Sequence, residues 1–208
     1  MFFTDYRFLE TIFTQIFLAS FMMPESILNS IYQLPEDSKN LLLNGISEVQ
    51  HAKGVILLKA DKVEQDIYFI KKGIVRAFAT NDDTDITFWF GTEGETVLSM
   101  KSYVENAKGY ENIELLEDCI LYKLNARYLQ QLFLEDIHIA NWGRKFAEQE
   151  LVKTEERLIS RQFRNAKERY MDLLAGNPDL LQRVQLGHIA SYLGITQVSL
   201  SRIRSEIR

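Results

Sequence analysis

The 208-residue chain is 46% hydrophobic and 25% charged, which is ordinary for a globular protein with a buried core built as one large domain or two small ones. Its single cysteine, Cys119, excludes an intrachain disulfide framework, a zinc finger and an iron–sulfur centre, and the three histidines (His51, His138, His188) have no metal-ligand spacing. The net charge of −5 is unevenly spread: residues 160–208 carry 8 Lys+Arg and 4 Asp+Glu, whereas residues 1–159 carry 16 and 25, so a basic tail module sits on an acidic body.

The first stretch, 1–34, reads as an apolar N-terminal helical segment. Thr11 to Met23 has no charge, but thirteen residues are too few to span a bilayer. Asp5 and Glu10 spoil the basic flank of a secretory signal. Phe8, Leu9, Ile12, Phe13, Ile16 and Phe17 suit a helix with one apolar face, and Met22 or Met23 as the true start is the other reading. From Pro24 to about Ile46 the pattern is helical, with Pro35-Glu36-Asp37-Ser38 as a start signal and Gly45 as a stop.

Between Val49 and Leu124 the pattern turns to short strands: 55–58, 67–70, 74–79, 86–90, 113–115 and 119–124. Lys72-Gly73 and the acidic run Asn81 to Asp85 mark turns, so residues 35–128 are expected to form a small β-sandwich or roll. Cys119 lies in an apolar run and reads as a plain core residue. From Ala126 the pattern is helical again. No proline or glycine occurs from Arg144 to Ala175, which predicts a long helix with a break near Ser160 and an apolar seam for a second copy. A helix packed on its own roll is the plainer alternative. The connecting segment is taken as 129–159, and a following helix stops at Gly176-Asn177-Pro178.

The last segment, 160–208, contains two short apolar helical patterns, Ile189-Ala190-Leu193 and Val198-Leu200-Ile203, on either side of Gly194. Gly194 can take the left-handed conformation that ends a helix, and Thr196 stands where an N-cap belongs. This is the spacing of a helix-turn-helix. Gln197, Ser199, Ser201 and Arg202 give its second helix a polar outer face, and Glu206 is the only acid after Asp179. His188 is expected on the surface of the first helix. The reading is a double-stranded DNA binder rather than an enzyme: there is no nucleophile–base–acid set, phosphate loop or metal-ligand cluster. Cytoplasmic is the default location, with no membrane association.

The order roll, long helix, helix-turn-helix resembles the Crp/Fnr family of bacterial transcription regulators over about residues 35–208. The resemblance rests on the stretch from Glu168 to Arg204 and on Gly54, Tyr68, Ile70, Gly73, Val75 and Arg76 in the roll. It implies an α+β chain with a double-stranded β-helix or jelly-roll domain of cyclic-nucleotide-binding type, a dimerisation helix and a C-terminal reader. It also implies a homodimer on a palindromic operator, with RNA polymerase as a further partner. Carried over residue by residue, Gln197, Val198 and Arg202 occupy base-reading positions, with Arg202 paired to guanine and Gln197 to adenine. Val198 stands where the family often has glutamate and would pack on a thymine methyl. Thr196 and Ser199 would touch phosphates.

The resemblance places a possible effector pocket at Gly94, Glu95, Lys108 and Tyr110, but the arginine that would hold a cyclic phosphate is replaced by Gly109-Tyr110. Lys108 is no equivalent of a planar guanidinium, and Ala60 replaces a usual turn glycine. The roll is therefore not expected to bind cyclic AMP, no cofactor is expected, and the effector stays open: an unknown small ligand, a protein partner or none. The family's β-hairpin wing has no counterpart before Arg208, which implies modest DNA affinity. The alternative reading is a small-molecule-binding or protein-interaction module whose helix-turn-helix no longer reads DNA.

Overall fold

The computed structural model describes residues 22–82 and 84–207. The apolar segment expected around Phe8 to Phe17, Asp83 and Arg208 lie outside the described residues. Two short helices come first, α1 (Pro24–Ile31) and α2 (Glu36–Asn44). Pro35 precedes α2 and Gly45 ends it, where the sequence places its start and stop signals.

The roll consists of eight strands: β1 (Ile46–His51), β2 (Ile56–Leu58), β3 (Asp66–Lys72), β4 (Val75–Asn81), β5 (Thr84–Gly91), β6 (Thr96–Val97), β7 (Asn112–Leu115) and β8 (Cys119–Asn125). They form two four-stranded antiparallel sheets, ordered β1-β8-β3-β6 and β2-β7-β4-β5. Successive side chains on a strand point to opposite faces, so each sheet turns one row inward. Leu58, Ile70, Val75, Val97, Leu115 and Leu121 meet there. β1, β6 and a short helix α3 (Met100–Glu105) go beyond the six expected strands. Gly73 links β3 to β4 at φ +119, and a Cβ there would stand 2.3 Å from Cys119 Sγ, so both backbone and space require glycine.

Cys119 is buried beneath that turn, as a core residue. Burial, and next the Glu117 carboxylate, push its thiol up to about 11. We expect a thiol reagent at pH 8 to leave Cys119 unmodified until denaturant is added; fast labelling of the native protein would contradict this burial.

Helix α4 (Ala126–Glu135) is capped by Asn125 and the long helix α5 (Ile137–Phe163) by Asp136, whose carboxylate accepts the N–H groups of His138 and Ile139 and the hydroxyl of Ser38. Trp142 ties α5 down. Its ring is buried against Phe69 and Phe146, and its Nε1 donates to the Leu28 carbonyl at 2.9 Å. Beyond that anchor α5 presents Leu151, Val152, Leu158, Ile159 and Phe163, all exposed. The helix ends at Arg164, a few residues past the expected Ser160. There Asn165 and Glu168 form a reciprocal capping box that starts α6 (Ala166–Gly176).

α7 (Leu180–Arg183), α8 (Leu186–Leu193) and α9 (Gln197–Ile207) complete the chain. Tyr170, Leu173, Leu180, Ile189, Ala190, Leu193 and Leu200 form their core. Fully burying a side chain such as Leu200 is worth about 1.5–3 kcal/mol. The same cluster takes in Ile74, Phe90 and Leu116 from the roll, so the terminal helices are seated on it.

Candidate functional site

Two helices meet at the C-terminal end in the geometry that the sequence spacing predicts. Gly194 follows α8 at φ +66, and the turn is closed by Gly194 N–H to the Ser191 carbonyl and Ile195 N–H to the Ala190 carbonyl, both 3.0 Å. Thr196 Oγ1 then accepts the Ser199 N–H at 3.2 Å, capping α9. Leu200 is fully buried beneath, which fixes the opposite face of α9 outward. That face carries Gln197, Val198 and Arg202, all exposed. Val198 is 63% exposed, more than a core role would allow. Among the described residues no side-chain partner holds the Arg202 guanidinium. Gln197 lies back over α8: a Cβ on Gly187 would be 2.4 Å from its Nε2. Ser199 is half-buried and its hydroxyl sits 3.0 Å from Thr196 Oγ1. Of the five residues named for DNA contact, three therefore form an open outer face and two form its capped edge.

The second candidate region is a cleft of about 1390 Å³ bounded by the roll, α5 and the terminal helices. Glu95 and Tyr110 line it; Gly94 and Lys108 do not. Gly94 shapes the β5–β6 turn at φ +89, and Lys108 is exposed. Burial raises the Glu95 carboxyl above the usual carboxylate range and outweighs the Thr92 N–H bond at 2.8 Å. The residues that sequence reasoning missed are Glu111, Phe88, Trp89 and Tyr192, which also line the cleft. Phe88 faces Tyr110 at 6.3 Å between ring centres.

Glu111 stands two positions past Gly109, where the Crp/Fnr resemblance expects a phosphate-binding arginine. It is buried and its Oε2 accepts the Tyr110 N–H at 3.0 Å. A Cβ at Gly109 would lie 3.3 Å from both Glu111 oxygens and 2.6 Å from Ser99 Oγ, so a larger residue cannot enter without displacing them. The roll's wall thus offers carboxylates. The cations of the cleft come from outside the roll: Lys153, Arg157 and Arg161 on α5, Arg164 at its end and Arg169 on α6.

The chain thus joins a roll, a long helix with an exposed apolar stripe and a terminal helix-turn-helix. Residues 48–136 match the cyclic nucleotide-binding domain family, so the roll is a domain of that type. Sequence comparison with curated proteins gives no match. Among solved structures the chain is similar to FixK2 from Bradyrhizobium japonicum, at 18% identity over 78% of this chain and 84% of that one, with a TM-score of 0.67. A Crp/Fnr-family transcriptional regulator from Eubacterium rectale gives 15%, 88%, 85% and 0.67. The c-di-GMP-responsive global regulator CLP of Xanthomonas campestris gives 17%, 83%, 91% and 0.62. The chain thus has the α+β fold of Crp/Fnr regulators, and these neighbours are regulators rather than enzymes. No helix among the described residues is long and apolar enough to cross a membrane.

Proposed function

We propose that the protein is a homodimeric, sequence-specific DNA-binding transcription regulator whose roll answers to something other than cyclic AMP. The observation that carries this reading is the outer face of α9: Arg202, Gln197 and Val198 are exposed on the second helix of a capped helix-turn-helix, on the basic module of an otherwise acidic chain. Arg202 would pair with guanine, Gln197 with adenine, and Val198 with a thymine methyl, while Thr196 and Ser199 approach phosphates. The exposed stripe of α5 supports pairing with a second copy, which would place two readers on a two-fold symmetric site about one helical turn apart. RNA polymerase is the further partner this reading implies, and the cytoplasm its compartment.

The departure from cyclic AMP rests on Glu111. A buried carboxylate beside the phosphate position repels the anion that an arginine would hold. The test is selection from a randomised DNA pool at moderate salt, followed by sequencing of retained strands. A palindromic consensus is expected; no enrichment, in buffer and in cell extract alike, would overturn the reading.

A further inference from the structure

Among the described residues two charged side chains are buried, Arg76 and Glu111, at 5% and 6% exposure. Their surroundings differ. Arg76 of β4 bonds Glu114 at 2.8 Å and Asp85 at 3.2 Å, lies 4.1 Å from the centre of the Phe78 ring, and donates from Nη1 to His188 Nδ1 at 2.9 Å. An arginine can only donate, so His188 accepts and is neutral there. His188 is thus a half-buried partner, not the surface residue the sequence suggests. Glu111 has no such company. Its Oε2 accepts the Tyr110 N–H at 3.0 Å, but among the described residues Oε1 has no donor and neither oxygen pairs with a cation.

A carboxylate withdrawn from water is stable only when a cation or several donors replace the solvent. A neighbour shares the deficit: Ser99 is 4% exposed, and its Oγ has no partner among the described residues. A Cβ at Gly109 would lie 2.6 Å from that hydroxyl and 3.3 Å from both Glu111 oxygens, so the two groups gather around one point of the roll's wall. Glu111 lines the cleft together with the rings of Phe88, Trp89 and Tyr110, and Glu95 adds a second carboxylate to the same lining. Tyr110 is 64% exposed, so its ring is open to a ligand. The cleft's own cations are engaged elsewhere. Lys153 pairs with Glu150 and Arg164 with Asp172, Arg157 donates to the Thr154 hydroxyl, and Arg169 donates to the carbonyls of Arg164 and Leu193.

We propose that the cleft takes an organic cation: an amine with an apolar or aromatic body, its protonated nitrogen on Glu111 and its body against Phe88, Trp89 and Tyr110. An ammonium carries three donors and no acceptor, which matches a wall whose free polar atoms, Glu111 Oε1 and Ser99 Oγ, can accept. Aromatic faces also attract a cation, so the carboxylate and the rings select the same chemistry. A ligand presenting a phosphate or carboxylate at this wall would meet Glu111 as a like charge. The proposal names the ligand class for a roll that answers to something other than cyclic AMP, and it rests on that reading; it does not depend on DNA binding.

The experiment uses the full chain and phenethylamine, protonated at neutral pH, beside phenethyl alcohol and hydrocinnamate, which keep the ring but carry a hydroxyl or a carboxylate. The chain's two tryptophans, Trp89 and Trp142, both line the cleft, so their fluorescence reports occupancy, with calorimetry as a second readout. Phenethylamine is expected to bind about ten-fold more tightly than the alcohol, and the carboxylate most weakly. Glu111→Gln keeps the shape and an acceptor for the Tyr110 N–H, and brings the amine down to the alcohol's affinity. Circular dichroism checks its fold; if it does not fold, Tyr110→Leu, at an exposed position, is expected to cut the amine's advantage several-fold, and an unchanged advantage there overturns the proposal. Equal binding of amine and alcohol, preference for the carboxylate, no saturable binding of the amine, or an amine advantage that survives in folded Glu111→Gln overturns it as well. Cyclic AMP is titrated in parallel. Its tight binding would overturn the reading of the roll itself, whereas failure of the amine with no binding of cyclic AMP removes only the cation assignment.

Discussion

Replacing Arg202 by alanine is expected to abolish discrimination between an operator and unrelated DNA while leaving the fold intact. The side chain is exposed and holds no partner among the described residues, so folding stability should change by no more than about 0.5 kcal/mol. A bidentate contact to guanine is worth about 1–3 kcal/mol. A dimer makes that contact twice, at well-separated points, so the combined loss is roughly 2–6 kcal/mol. Binding of the selected site and of a scrambled site, measured at the same salt, checks this. Arg202→Lys sharpens the result: the charge survives but the planar fork does not, so non-specific affinity should persist while selectivity falls. Unchanged selectivity in Arg202→Ala would mean that α9 does not read bases through this residue.

The second large effect is expected on α5. Leu158 is 56% exposed and Phe163 79% exposed, on a 27-residue helix that runs roughly 40 Å at 1.5 Å per residue. In a two-fold pair each seam residue meets the corresponding surface of the partner. Leu158→Glu therefore introduces two like charges into one apolar seam, at a cost of several kcal/mol. Sedimentation is expected to show a dimer for the parent and a monomer for the variant, with the roll and Trp142 anchor still folded. Operator affinity should fall with it, because linked half-sites gain roughly 10²–10⁴ over one. A variant that stays dimeric would place the dimer contact elsewhere.

The extent to which residue order shows these features follows from how local each signal is. Gly194 and Thr196 act on their own turn, so the helix-turn-helix was readable from eighteen residues or so of local pattern. The Gly45, Gly73 and Gly176 stops are local in the same way. β1 escaped because Ile46–His51 directly follows a helix, alternates weakly, and is made a strand by pairing with Cys119–Leu124 far along the chain. β6, two residues long, carries no periodicity at all. The break in the long helix was misplaced toward Ser160 because its true signal is the pairing of Asn165 with Glu168, a capping box without glycine or proline.

The site divides along the same line. Gln197, Val198 and Arg202 follow from helical phase once α9 is placed. The cleft does not, since Gly94 and Lys108 come with the motif but lie outside the lining, whereas Phe88 and Trp89 of β5, Glu111 of the loop before β7 and Tyr192 of α8 are brought in from three separate parts of the chain. The one local hint was Glu111 itself, an acid two residues from a missing arginine. The polar contact between the roll and the terminal helices was the least visible feature. Arg76 and His188 are 112 positions apart, and nothing in either neighbourhood points to the other.

The apolar cluster under the terminal helices has a consequence for interchangeability. Because Ile74, Phe90 and Leu116 complete a core otherwise built from Tyr170, Leu173, Ile189 and Leu193, the boundary between the two halves runs through packed side chains and not through a linker. Grafting these terminal helices onto an unrelated roll would leave that core open on one side. The two halves therefore constrain each other's sequence: a change of volume at Phe90 or Leu116 calls for a matching change in α6 or α8, and the unit that can be transplanted intact is the complete roll together with its terminal helices.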